Sequence, residues 1–185
     1  MAINLMESVQ ECMGIEVLQK VDPNTQEPVP NGDLVGPTHA LLQAAIPAVL
    51  AAMYEKTRTA DTTEQLLGAS GGAACLQILF GDNMGASAEE IAAYNNTYTT
   101  KARLTMEQVA EVALHVILTE CSSNNPQEVI DFVALQRKNI LQYLPASLRM
   151  GHLLGDNTLD DATRKMDGPV SGLAYSVERL FSDSK

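Results

Sequence analysis

The side chains able to do chemistry in this sequence are few: His39, His115 and His152 are its only imidazoles, and Cys12, Cys75 and Cys121 its only thiols. His115 follows Glu111 by one helical turn and Glu107 by two, a spacing that puts all three on one helix face. A carboxylate-bridged metal bundle needs Glu-x-x-His on two helices together with further carboxylates. Here the spacing is Glu-x-x-x-His and it has no second copy, so His115 reads as a structural or surface histidine. No cysteine stands beside a histidine and there is no CxxC, so the sequence offers neither a Cys–His nucleophile pair nor a thiolate metal knuckle. An odd number of widely spaced cysteines reads as free thiols on apolar helix faces.

Two further patterns invite a ligand. Gly68 and Ser70-Gly-Gly72 precede a helix, as a phosphate loop does, but they lack its lysine and its preceding strand. They read as a flexible helix–helix turn. Gly81-Asp-Asn83 and Gly155-Asp-Asn157 carry oxygen donors suited to calcium, without the alternation and distal glutamate of a calcium loop. Turn-forming Asx residues account for both. The expected assignment is therefore no catalytic, cofactor-binding or metal-ligating residue and no cofactor. The polar cluster Gln136, Arg137 and Lys138 is left as the candidate interaction surface, against the default of a solvated helix face.

The elements that must position these residues are helices. Hydrophobic residues make up 45% of the chain, enough for a core, while aromatics are only 4% and tryptophan is absent. A core of Leu, Ala, Val, Ile and Met, with Ala and Leu prevailing over β-branched residues, favours helix over sheet. The predicted class is all-α, an irregular array of about eight to ten short helices.

Asn4 opens the first helix and Gly14 stops it, with another helical turn or two expected over Ile15 to Val21. Four prolines and Asn31-Gly32 make residues 22–37 a loop, and Pro37 starts a helix with a kink or break near Ala45, ahead of Pro47. Capping boxes at Asp61-Thr-Thr-Glu64 and Ser87-Ala-Glu-Glu90 start two more, the first closed by Gly68. An apolar helix from Ala73 to Phe80 lies between them. Thr97 to Lys101 reads as loop, and Thr105 to Cys121 as the central helix, because it is apolar over more than one face. Asn125-Pro126 caps a helix running to Pro145, and Leu148 to Leu154 forms a short one ended by Gly155. Residues 1–155 are expected to form one helical domain. Residues 156–185 form a helical extension packed on it, with a cap at Thr158-Leu-Asp-Asp161 and a last helix after Gly168-Pro169.

The net charge of −11 repels polyphosphate and anionic lipid, so nucleic acid is not an expected partner. Residues 61–100 hold five acidic side chains and no basic one, which confines any cationic surface to the C-terminal half. No window approaches the ~20 apolar residues that span a bilayer. The N-terminus lacks the basic start and apolar run of a secretory signal, so a cytoplasmic location without membrane insertion is expected.

The order Asn4-Leu-Met-Glu-Ser-Val, Ala44-Ala-Ile-Pro-Ala-Val-Leu50 and Ile78-Leu-Phe-Gly81 is similar to a bacterial family of unknown function that includes YidB. Leu135-Gln-Arg-Lys-Asn-Ile140, Leu144-Pro-Ala-Ser-Leu148 and Leu153-Leu-Gly155 resemble its closing segment, so the resemblance covers about residues 3–155. It implies a small all-helical bundle, cytoplasmic or envelope-associated, and brings no catalytic set with it. The loop at 22–37 and the extension at 156–185 depart from the pattern. The expected function is a non-catalytic interaction or scaffold domain whose helix faces meet another protein or a second copy of the chain. The alternative is a helical module holding a small apolar ligand between Met- and Ala-rich helices.

Overall fold

Every residue from Leu41 to Met53 is buried, and this run organises the rest of the molecule. A computed structural model of the chain describes residues 3–22, 24–28, 36–121, 125–156 and Leu159. The elements are α1 (Leu5–Cys12), α2 (Pro37–Lys56), α3 (Ala60–Leu67), α4 (Gly72–Phe80), α5 (Met84–Tyr94), α6 (Thr99–Glu120), α7 (Pro126–Leu135), α8 (Arg137–Leu141) and α9 (Met150–Leu154). Short 3-10 turns at Gly81–Asn83 and Ala146–Leu148 join them, and no strand forms among the described residues. The all-α array is thus the observed architecture.

Helix α2 has no solvent face over those residues because α1, α4, α5, α6, α7, α8 and α9 all pack on it. Ala44, Ala45, Ala48, Ala51 and Ala52 keep its cylinder thin, so several neighbours approach at once. Pro47 lies inside this helix, which is continuous, so of the kink or break expected near Ala45 a break does not occur. Proline removes one donor and crowds the preceding turn. Here the enclosing helices hold that turn in place. Helix α6 is the second axis, packed on α1, α2, α4 and α5 through Met106, Val109, Ala110, Ala113 and Ile117.

The caps at Asn4 and Asn125 form as expected: each side chain accepts from the amide two residues on, Met6 at 3.1 Å and Gln127 at 3.0 Å. Other boundaries differ. Ile15 to Lys20 is irregular rather than helical, and side chains elsewhere take up some of its backbone groups. Helix α3 begins at Ala60, ahead of the expected Asp61 cap, and α5 begins at Met84, which leaves Ser87 buried within it. Helix α6 starts at Thr99 rather than Thr105, since Ala102 continues the buried stripe of Met106 by one turn. The run after Pro126 divides at Gln136 into α7 and α8. The 158–161 cap apart from Leu159, the last helix after Gly168-Pro169, half of the 22–37 stretch and most of 156–185 fall outside the described residues.

The tightest crossing is α4 on α6. A Cβ on Gly72 would lie 2.0 Å from the Glu107 carbonyl oxygen, so only glycine permits this approach. Gly85, in the first turn of α5, has nothing within 4 Å of the same position. Gly72→Ala is therefore expected to destabilise the fold by about 2–3 kcal/mol in urea titration, the range of overpacked cores. Gly85→Ala should raise stability by about 0.5 kcal/mol in the same assay, through helix propensity alone.

Candidate functional site

The glutamine of the expected interaction cluster is not a surface residue. Gln136 is 3% exposed, and its amide reaches across to the start of α1. Its Oε1 accepts from the Leu5 amide at 3.1 Å and from Asn139 Nδ2 at 3.1 Å, while its Nε2 donates to the Ile3 carbonyl at 3.0 Å. Arg137 beside it is half-buried and Lys138 is exposed, so of the three only Lys138 stands well out in solvent.

Two more buried glutamines work the same way. Gln10 Nε2 donates to the Met6 carbonyl at 2.9 Å, and its Oε1 accepts from the Leu18 amide at 2.7 Å. Gln43, on the otherwise apolar α2, accepts from the Gln19 amide and donates to the Gln19 carbonyl, both at 2.8 Å. The Val21 amide completes the set by donating to the Gln142 carbonyl at 2.8 Å. A non-helical segment inside a helical array has no ladder partner, and an unmet buried amide costs about 1–3 kcal/mol. The glutamines supply the missing partners.

Beside these clamps, apolar side chains turn outward. Leu135, next to Gln136, is 76% exposed; Val17, next to Leu18, is 77% exposed; and Ile3, whose carbonyl Gln136 holds, is 38% exposed. Each is large and apolar; Ile3 has its own carbonyl held by a buried amide, and Val17 and Leu135 stand next to residues that take part in such a clamp. Scattered apolar residues are ordinary on a surface. A rigidly held one costs less entropy on meeting a partner. Sequence reasoning picked out the charged neighbours and passed over Leu135. The available signal was Gln43 interrupting an apolar stripe, which marks an amide with work inside the core.

The other chemical candidates are dispersed. His39 stands in the first turn of α2, His115 on the exposed face of α6 and His152 on α9. Glu107 pairs with Arg103 at 2.9 Å. Among the described residues no three His, Cys, Asp or Glu side chains converge as metal ligands. Burial pushes the Cys75 thiol up, with Glu111 adding to the effect, and burial does the same for Cys121 beside Glu128 and Glu120. That is the reverse of an activated thiolate. The glycine pair before α4 is occupied by protein: Gly71 takes φ +92° for the turn, and the α6 backbone fills the space against Gly72.

The first Gly-Asp-Asn turn meets α9, as a structural joint. Asn83 Nδ2 donates to the Leu153 carbonyl at 2.8 Å. Arg58 bridges Glu55 at 2.9 Å and Asp156 at 3.3 Å, so a guanidinium lies at the second turn. A second joint forms at Glu27. Its carboxylate accepts from the Ser147 amide and from the Tyr94 hydroxyl, each at 3.0 Å, and Ala146 donates to the Gln26 carbonyl at 3.0 Å. Partial burial and the Glu27 carboxylate together push the Tyr94 phenol well above its ordinary range.

Compared with family models, curated proteins and solved structures, the chain matches none, so its site rests on its own residues.

Gln136→Leu should cost about 2 kcal/mol in urea titration, since it strips partners from the Leu5 amide and the Ile3 carbonyl. Lys138→Ala should change stability by less than about 0.5 kcal/mol in the same titration. The Tyr94 phenol holds its proton more tightly folded than unfolded, so its share of stability is present below about pH 10 and is lost as pH rises beyond that. In a 295 nm titration, Tyr94→Phe should remove the latest-ionising phenol and flatten the alkaline fall in stability.

Proposed function

We propose that this chain is a non-catalytic protein-interaction domain that meets its partner through apolar side chains presented by the amide-clamped edge of the array. The observation that carries this reading is Leu135, 76% exposed and next in sequence to Gln136, whose buried side-chain amide holds the start of α1. Ile3 lies across the same amide, and the cationic Lys138 follows three residues later. An apolar centre with a charged neighbour suits recognition of another protein surface. The net charge of −11 weighs against nucleic acid, whose affinity comes largely from neutralised phosphates. Among the described residues no helix is long and apolar enough to cross a membrane. A reducing cytoplasm suits the free thiols of Cys75 and Cys121.

A ligand module draws less support. Met6, Met53, Met106 and Met150 are fully buried members of the core cluster, as ordinary packing requires.

Affinity capture of the intact chain from its own cells, run beside Leu135→Asp, tests the reading. A partner or a second copy recovered by the parent and reduced at least about tenfold by Leu135→Asp is the expected result, because a charge there desolvates without compensation. Equal recovery by both proteins sinks the assignment of this face. A strictly monomeric chain that recovers nothing sinks the interaction reading.

A further inference from the structure

Helix α6 buries one face and keeps the other in solvent. Ala102, Met106, Val109 and Ala113 are buried, with α1, α2, α4 and α5 packed on the helix. Lys101, Leu104, Gln108, Glu111, His115 and Leu118 are exposed and follow one another at alternating steps of three and four residues. That spacing is the seam along which two helices pack lengthwise. Leu104 is 59% exposed and Leu118 36%. In sequence they stand on either side of Glu111, each two helical turns away from it. The face therefore reads alike from either end, with a carboxylate at its centre and a leucine at equal distance on each side.

Such a face is complementary to a copy of itself. A two-fold axis through Glu111 sets two α6 helices antiparallel and places Leu104 of each against the other's Leu118. The same register sets Glu107 against the second copy's His115. Arg103 donates to Glu107 Oε1 at 2.9 Å, and Glu107 Oε2 can accept from that imidazole. The charge balance agrees. The chain carries −11, yet between Thr99 and Thr119 the charges of Lys101 and Arg103 cancel those of Glu107 and Glu111. Two copies approaching here repel each other least. Antiparallel packing also sets the positive N-terminal end of each helix beside the negative C-terminal end of the other.

We infer that the outer face of α6 is a self-association surface, on which a second copy of this chain pairs antiparallel about Glu111 through two Leu104–Leu118 contacts. It lies on a different helix from Leu135 and does not depend on the reading of that edge.

Sedimentation equilibrium of the full chain from about 1 µM to 1 mM is the test, in about 0.15 M salt so that charge repulsion is screened beyond about 8 Å. A reversible monomer–dimer equilibrium is expected. Leu104→Lys and Leu118→Glu introduce good helix formers at solvent-facing positions, so each should fold as the parent does. Each should weaken the dimer at least about tenfold, because a charge then faces a leucine at both contacts. Mixing the two variants should restore a mixed dimer, in which one contact is Lys–Glu and the other remains Leu–Leu. Glu111→Gln should tighten the parent dimer at least about twofold, since it removes like charges that meet across the axis. A chain that stays monomeric over the whole range overturns the inference. So does a dimer that the leucine variants leave intact, one that mixing fails to restore, or one that Glu111→Gln does not tighten. Leu135→Asp should leave the dimer unchanged. A dimer that it dissolves belongs to the Leu135 edge, so the α6 pairing fails and the proposed interaction face stands.

Discussion

A helix with no solvent face fixes how everything around it is arranged. Over Leu41 to Met53, α2 must be covered on every side, and seven of the other eight described helices pack on it. Ala-rich composition makes the cover possible, because small side chains let neighbours approach closely. The glycine at the α4–α6 crossing serves the same end one layer out, with Gly72 set against the Glu107 carbonyl. Close packing of many short helices leaves little slack for error, which is why single added carbons are felt.

Enclosing one helix this fully has a cost in backbone polarity. Some cover is not helical: Ile15 to Lys20 forms no helix and is held to α1 and α2 by Gln10 and Gln43, and the start of α1 meets the α7–α8 junction. Water cannot reach all of these backbone groups, and no strand lies alongside to pair with them. Gln10, Gln43 and Gln136 close the deficit, since a primary amide carries both a donor and an acceptor. The same clamps hold Ile3, Val17 and Leu135 outward, so the frame of the core and the candidate surface share one set of hydrogen bonds.

Around this frame the ion pairs act as joints between distant parts of the chain. Arg58 ties the end of α2 to Asp156, Arg149 pairs with Glu90 at 3.3 Å, and Glu27 tethers the 24–28 turn to Tyr94 and Ser147. Exposed pairs contribute at most about 1 kcal/mol each. Their effect is on register: they set the short α9 against α2 and α5.

Local chemistry in the sequence was enough for the class of fold, the Asn4 and Asn125 caps, the glycine stops at Gly68, Gly81 and Gly155, and most of the core stripe. These depend on neighbours within one helical turn, where propensity and periodicity act. It misplaced what depends on distant partners. Ile15 to Lys20 has helical neighbours in sequence but no helix in space, with its Leu18 and Gln19 amides taken up by Gln10 and Gln43. Pro47 signals a kink or a break, and the helix continues through it where it is buried on all sides. Gln136 reads as polar surface beside Arg137 and Lys138, and only the approach of α1 turns it inward and leaves Leu135 outside. Sequence by itself determined that this chain is helical and apolar enough to enclose a core. Tertiary structure decided which amides face inward, because a hydrogen-bond partner 131 residues away leaves no mark on local pattern.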